Sequence, residues 1–161
     1  MCVFLAFFLS GAVADSTIRL RGYRRYHVPA EGMDPTIPAG ATVLADMRAY
    51  RTAKPADGEI ILFRDDSGTL LLKRLIGTEG NLVELRSGHL FINEESVEES
   101  YAAYEGSDSD LAPRTFGPVK VPSGKVFVLG DNRDFSLDSR AQQFGFVDES
   151  RIRGKVISTL K

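Results

Sequence analysis

A chain of 161 residues is long enough for one domain with a buried core, and its hydrophobic content of 43% is ordinary for a globular protein. Its net charge of -2 and the lack of a basic stripe argue against nucleic-acid binding. The single cysteine, Cys2, excludes an internal disulfide framework and a cysteine-based metal site. Two isolated histidines, His27 and His89, are more typical of surface or strand positions than of metal ligands, so we expect no metal and no other cofactor.

The first segment of the chain, residues 2–14, is uncharged and nearly all apolar. It is shorter than the roughly 20 residues that a membrane-spanning helix needs. One interpretation is the apolar region of a secretory signal, because Ala12-Val13-Ala14 is a small-x-small site, although no Lys or Arg precedes it. The alternatives are the outer half of an anchor whose beginning is missing and a buried core helix. The arginines that follow suit anionic lipid headgroups: Arg19, Arg21, Arg24 and Arg25. We assign residues 1–16 to a membrane-anchor remnant or a signal-like segment.

From residue 41 onward, short runs of strand-forming residues alternate with Pro, Gly, Asp and Ser turn signals. The runs predict strands at residues 41–47, 58–63, 70–77, 125–130 and 155–160, and a hairpin at residues 81–93. Strands this close together, with little helical periodicity, predict a mainly antiparallel β domain.

Residues 94–119 differ from this pattern, because they are acidic, rich in serine and interrupted by Pro113 and Pro118. We expect a long surface insertion or a partly ordered loop here, with its charges in solvent.

Three separated stretches stand out from the rest of the sequence. They are "HVPAEGMDPTIPAG" at residues 27–40, "LLLKRLIGTEGN" at residues 70–81 and "GDNRDFSLDSR" at residues 130–140. Together they resemble type I signal peptidase, the membrane-anchored Ser/Lys endopeptidase family that removes signal peptides from exported proteins. The resemblance covers residues 28 to about 157, and it includes "ADGEIILF" and "KRLIGTEGN", which are similar to the family's "GDIVVF" and "KRVIGLPGD".

The resemblance implies antiparallel β-sheets in a partly open barrel over residues 28–161, with a variable acidic insertion at about 94–119. It also implies a membrane anchor, a β domain on the outer face of the membrane, and secretory preproteins as partners through their signal peptide region.

A lysine acts as a general base for a serine only when it is neutral, so its pKa must fall from about 10.4. Burial among apolar neighbours lowers the pKa of a lysine. Strand alternation places Lys73 on one face with Leu71 and Leu75. Taken alone, this pattern favours a lysine that snorkels to solvent. The resemblance instead implies that Lys73 is the general base.

In the third stretch, Ser136 matches the family serine that hydrogen-bonds the catalytic lysine and orients it. The charges around it alternate in sign closely enough for a mutually satisfied polar network, at Asp131, Arg133, Asp134, Asp138 and Arg140. We expect most of these residues to be structural. The structural motif is thus predicted to comprise Arg74, Asp131, Asn132, Arg133, Asp138 and Arg140.

The family's first motif reads approximately P-S-x-S-M-x-P-T, with the nucleophile directly before the Met. Residues 29–36 align with it without a gap, which places Gly32 at the nucleophile position. Ala30 corresponds to the serine that contributes to the oxyanion hole in many members, and Met33 and Pro35 complete the predicted substrate loop. Thr36 is better explained as a turn residue than as a substitute nucleophile.

The most economical hypothesis is a signal peptidase relative that is catalytically impaired but still binds preproteins. One alternative is an active signal peptidase with an unrecognised nucleophile, and another is a non-catalytic scaffold of secretion. Related Ser/Lys β domains occur in self-cleaving transcriptional regulators, but the residues before 28 are too few for a DNA-binding unit.

Overall fold

The computed structural model describes residues 14–20, 22–105 and 112–160. Most of the predicted membrane-anchor segment, residues 1–13, lies outside the described residues, and the strand Ala14–Leu20 follows it. Within the described residues, no helix is long and apolar enough to cross a membrane.

Strands dominate the described residues, and their pairings are antiparallel. They are β1 (Ala14–Leu20), β2 (Tyr23–His27), β3 (Thr42–Asp46), β4 (Ile60–Arg64), β5 (Leu70–Gly77), β6 (Leu82–Arg86), β7 (His89–Ile92), β8 (Glu95–Val97), β9 (Phe116–Lys120), β10 (Lys125–Leu129), β11 (Val147–Asp148) and β12 (Ile152–Leu160). A short 3₁₀ helix, Glu149–Arg151, precedes β12.

The strands form two sheets. The larger sheet has the order β1-β2-β3-β12-β4-β5-β10-β11 and forms a half-barrel, and the smaller has the order β8-β7-β6-β9. The prediction of a mainly antiparallel β fold is therefore confirmed. A strand or hairpin is present at each position where the sequence predicted one, and the observed ends differ from the predicted ends by a few residues.

The prediction of a loop at residues 94–119 is wrong at both of its ends. β8 pairs with β7, and β9 pairs with β6, so this stretch supplies both edge strands of the smaller sheet. β2 was also not predicted. It escaped notice because Tyr23, Arg24 and Arg25 give it a polar sequence, and only Tyr26 in it is buried.

Strand β5 lies at the centre of the fold and is buried on both faces, which its run of apolar residues makes possible. Leu71 and Leu75 belong to one core cluster with Phe63, whereas Leu72 on the opposite face belongs to a second. A third cluster joins the two sheets, where Phe127 of β10 contacts Phe116 at 5.5 Å between ring centroids. β5 is thus held rigidly between packed layers.

Candidate active site

Lys73 lies in the middle of β5, and its exposed fraction is 0%. Its Nζ donates a hydrogen bond of 2.7 Å to the Oγ of Ser136. The amine does not reach solvent, so the alternative of a snorkelling lysine is wrong. Strand alternation explains this burial, because Lys73 shares a face of β5 with Leu71 and Leu75, two members of a core cluster.

Burial lowers the pKa of Lys73 from the ordinary value of 10.5 to about 8, because the ammonium form loses its solvation. The negative charges of Asp138 and Asp131 oppose this change, whereas the positive charge of Arg140 adds to it. A lysine with this pKa is partly neutral near physiological pH. It can therefore accept a proton, as a general base must.

Gly32 lies in the loop between β2 and β3, and its backbone carbonyl accepts a hydrogen bond of 3.3 Å from the N–H of Asn132. A Cβ built on Gly32 would lie 3.3 Å from the Nζ of Lys73 and 3.4 Å from the carbonyl oxygen of Phe135. The φ angle of Gly32 lies outside the left-handed region that favours glycine. The local backbone therefore accepts an L-residue, whose side chain would begin beside the lysine amine.

The other residues of this loop have different surroundings. Ala30 is buried, and Met33 is buried in a core cluster with Ile37, so packing alone accounts for its position. Pro35 is exposed. Thr36 is also exposed, and it lines a cavity that Lys73 does not line.

The loop at residues 130–140 is fixed by a buried ion pair. The Nε of Arg140 donates to Asp138 at 2.9 Å, and both side chains have an exposed fraction of 0%. Burial alone would raise the pKa of Asp138, but the charge and hydrogen bonds of Arg140 hold it below its ordinary value. Asp138 also accepts a hydrogen bond from the N–H of Gly130, so the pair holds both ends of the loop together.

Gly130 is a site residue that sequence reasoning did not single out. A Cβ built on it would lie 2.2 Å from the Oγ of Ser136 and 2.3 Å from the carbonyl oxygen of Gly32. Only a residue without a side chain lets these three backbone segments meet. The available signal was a glycine at the end of a strand, which often marks a close backbone approach.

Arg74, the neighbour of Lys73, faces the other side of β5. Its guanidinium makes two hydrogen bonds to the carboxylate of Asp131, of 2.7 and 2.5 Å, and a third to the carbonyl oxygen of Gly58. The guanidinium carbon also lies 3.8 Å from the centroid of the Tyr101 ring, a cation–π contact. These contacts tie the loop at residues 130–140 directly to the strand that carries the lysine.

The sequence predicted that the charged residues of this loop satisfy one another. In the structure, two of them instead pair with residues outside the loop. The fully buried Arg133 pairs with Glu99 at 2.6 and 2.8 Å, and Asp134 pairs with Arg114 at 2.8 Å. Both partners belong to the stretch predicted as a solvated insertion. The exposed fraction of the Glu99 side chain is 6%, so the prediction of solvated charge is wrong at this residue.

Asn132 lies between two backbone segments. Its N–H donates to Gly32, and it forms a parallel bridge with Ala103 on the other side. Its buried side-chain Oδ1 has no hydrogen-bond partner among the described residues. The structure thus brings Gly32, Lys73, Ser136 and the predicted structural motif together around one loop.

A family model described as signal peptidase, peptidase S26, matches residues 1–160. This chain belongs to the signal peptidase family. The family cleaves signal peptides, and its mainly β fold is the fold of this chain.

Curated members of the signal peptidase family resemble this chain over most of its length. Signal peptidase IB of Staphylococcus aureus is 35% identical over 144 residues, which span 81% of this chain and 74% of the relative. Signal peptidase I P of Bacillus subtilis subsp. natto is 37% identical over 123 residues, 73% of this chain and 66% of the relative. The crystal structure of a signal peptidase I from Enterococcus faecalis V583 matches with a TM-score of 0.53 and 36% identity, over 66% of this chain and 98% of that chain.

Proposed function

We propose that this chain is a signal peptidase relative that binds exported preproteins but cleaves them poorly, because Gly32 occupies the position of the nucleophile. The observation that carries this proposal is the 3.3 Å between the Nζ of Lys73 and a Cβ built on Gly32. A serine at this position would place its hydroxyl beside the amine, as a Ser/Lys pair requires. Glycine offers no atom that a peptide could acylate.

The remaining parts of the proposed site support a role in binding. Lys73 is the proposed general base, and Ser136 is proposed to orient it through their hydrogen bond of 2.7 Å. Ala30, Met33 and Pro35 are proposed to form the substrate loop, with Ala30 lacking the hydroxyl of an oxyanion hole. Exported polypeptides are proposed to add to the site as an extended strand, the mode that exposed β edges commonly use.

Ser136 is the second candidate for a nucleophile, because its hydroxyl already contacts Lys73. Against this role, its exposed fraction is 2%, and a Cβ built on Gly130 would lie only 2.2 Å from its Oγ. The residues around Ser136 would have to move before a scissile peptide reached the hydroxyl. Gly32 removes the nucleophile from its usual position. Loss of the nucleophile in a hydrolytic triad leaves a residual acceleration of about 10³–10⁴ over water, which we expect to be too little for secretion.

The proposed location is a membrane-anchored β domain on the outer face. The family match, which includes residues 1–20, supports this location, as does the apolar composition of residues 2–14. The full chain should accordingly remain in the membrane fraction after a high-salt wash and be released by detergent. Release by salt alone would contradict the anchor.

The test of function is a cleavage and binding assay on the full chain in detergent. The substrate is a fluorescent preprotein peptide with small residues before the scission point. We expect the wild-type chain to bind the peptide without cleaving it. Gly32→Ser should restore cleavage, because its Cβ fits once the lysine amine moves by a few tenths of an ångström.

The matched control is the double variant Gly32→Ser with Lys73→Ala, which should bind the peptide and lose the restored cleavage. Efficient cleavage by the wild-type chain, abolished by Lys73→Ala, would overturn the proposal. If Ser136→Ala then abolished that cleavage while Ser136→Thr retained it, Ser136 would be the nucleophile.

A further inference from the structure

A cavity of about 290 Å³ lies beside the proposed site and belongs to none of the roles assigned so far. We call it the Phe63 cavity. Its apolar lining comprises Phe63, Leu137, Phe144, Phe146 and Val147, and its polar rim comprises Arg64, Asp65, Asp66, Ser67, Gln143 and Arg151.

The Phe63 cavity lies near Lys73 along the larger sheet. Lys73 pairs with Ile61 across β4 and β5, and the next pair on the same face is Phe63 with Leu71. Two residues of a strand span about 7 Å. The floor of the cavity is therefore about two residues of extended chain away from the lysine, on the same side of the sheet.

One loop connects the cavity to the nucleophile position. The carbonyl oxygen of Phe135 lies 3.4 Å from the Cβ position of Gly32, Ser136 accepts the hydrogen bond of Lys73, and Leu137 lines the cavity. The exposed fraction of Phe135 is 37%, so the loop presents an apolar residue between the two. Within three residues, the loop thus runs from the Cβ position of Gly32 to the lining of the cavity.

The chemistry of the cavity selects an apolar occupant. Phe63 and Phe144 meet edge to face, with 6.1 Å between ring centroids. The rim charges have partners of their own, because Arg151 pairs with Asp66 and Ser67 donates to Asp65. The volume exceeds the roughly 150 Å³ of an apolar cavity that holds benzene, so an aromatic ring fits.

We propose that the Phe63 cavity is a subsite for a large apolar or aromatic side chain of the bound polypeptide, two or three residues from the residue at Gly32. This inference rests on the proposed function, because it names a sequence preference of the same binding site. Burial of one such side chain should tighten binding about tenfold.

The test compares labelled preprotein peptides that differ at a single position, which carries either Phe or Ser. The position is moved from one to four residues on either side of the small residue expected at Gly32, and dissociation constants are measured by fluorescence anisotropy. The blocking variant is Gln143→Trp, because Gln143 is exposed and lines the rim. The matched control is Gln142→Trp, since Gln142 is also exposed and lies outside the lining.

We expect the Phe peptide to bind about tenfold more tightly than the Ser peptide at one or two of these positions. Gln143→Trp should remove this preference and leave binding of the Ser peptide unchanged, whereas Gln142→Trp should preserve it. Equal binding of both peptides at every position would overturn the subsite alone. Absence of binding by every peptide would overturn the proposed function and the subsite together. A third outcome is that the chain binds phosphatidylglycerol vesicles, that Gln143→Trp abolishes this binding, and that no peptide preference is seen. That outcome would assign the cavity to lipid and also overturn the subsite.

Discussion

Replacement of Lys73 by methionine tests the burial of the amine without any need for catalytic activity. Burial lowers the pKa of Lys73 from 10.5 to about 8, with Asp138 opposing the change. Each pKa unit corresponds to about 1.4 kcal/mol, so keeping the ammonium form in the folded protein costs about 3 kcal/mol. Methionine fills a similar volume without a charge, although loss of the hydrogen bond to Ser136 offsets about 1 kcal/mol of the gain.

The sign of the pH dependence follows from the lower pKa in the folded state. Below pH 8 both the folded and the unfolded chain hold the proton on Lys73, and the full penalty applies. Between pH 8 and 10.5 the folded chain releases the proton first, so the free energy of unfolding of the wild-type chain rises. Lys73→Met has no such proton. Its advantage of about 2 kcal/mol at pH 7 should therefore fall to zero at about pH 10 and become a small disadvantage above it, because the lost hydrogen bond remains.

The assay is urea unfolding of the full chain in detergent at pH 7, 8.5 and 10, for the wild type and Lys73→Met. The control is Lys125→Met, because Lys125 is partly exposed in an ion pair with Asp148. We expect the difference between Lys125→Met and wild type to be small and to change little with pH over the same range. A difference between Lys73→Met and wild type that stays constant from pH 7 to 10 would refute the reasoning, since the amine would then titrate alike in both states.

Two further substitutions test the contacts around the loop. Gly130→Ala should lower the free energy of unfolding by about 1–3 kcal/mol, because its methyl group would overlap the Oγ of Ser136; an unchanged urea midpoint would contradict this close approach. Glu99→Gln should cost about 3–5 kcal/mol in the same assay, because it leaves Arg133 buried without its charge partner. Glu84→Gln, in an exposed pair with Arg86, should change the free energy of unfolding far less, and equal effects of the two substitutions would exclude a special role for Glu99.

The strands that the sequence predicted best are buried strands with a high content of apolar residues. Residues 70–77 are apolar on both faces because β5 has a packed layer on each side, so the run alone indicates a central strand. β8 has three exposed residues, and its edge position demands no apolar alternation. Its pairing with β7 depends on a partner strand rather than on its own residues. Local sequence carries no signal for that kind of strand.

The candidate site depends on a different kind of information. Lys73 and Ser136 lie 63 residues apart, and no periodicity connects them. Their proximity was expected because of the resemblance to a known family, not because of the residues alone. Glu99 shows the limit of composition, since it looks like its solvated neighbours in sequence and yet pairs with the fully buried Arg133. The tertiary fold decides which acidic residue of a run pairs with a buried cation.

The absence of a side chain at position 32 also changes the lysine that remains. An ammonium group has three donors, and in this chain Ser136 accepts one of them. A hydroxyl at position 32 would offer a second acceptor beside the amine and so favour its charged form. Gly32 offers no such acceptor, and burial is the largest cause of the lowered pKa of Lys73. The amine of Lys73 thus gives up its proton more readily than an ordinary lysine, but position 32 has no hydroxyl for it to activate. This is the physical basis for expecting binding without turnover.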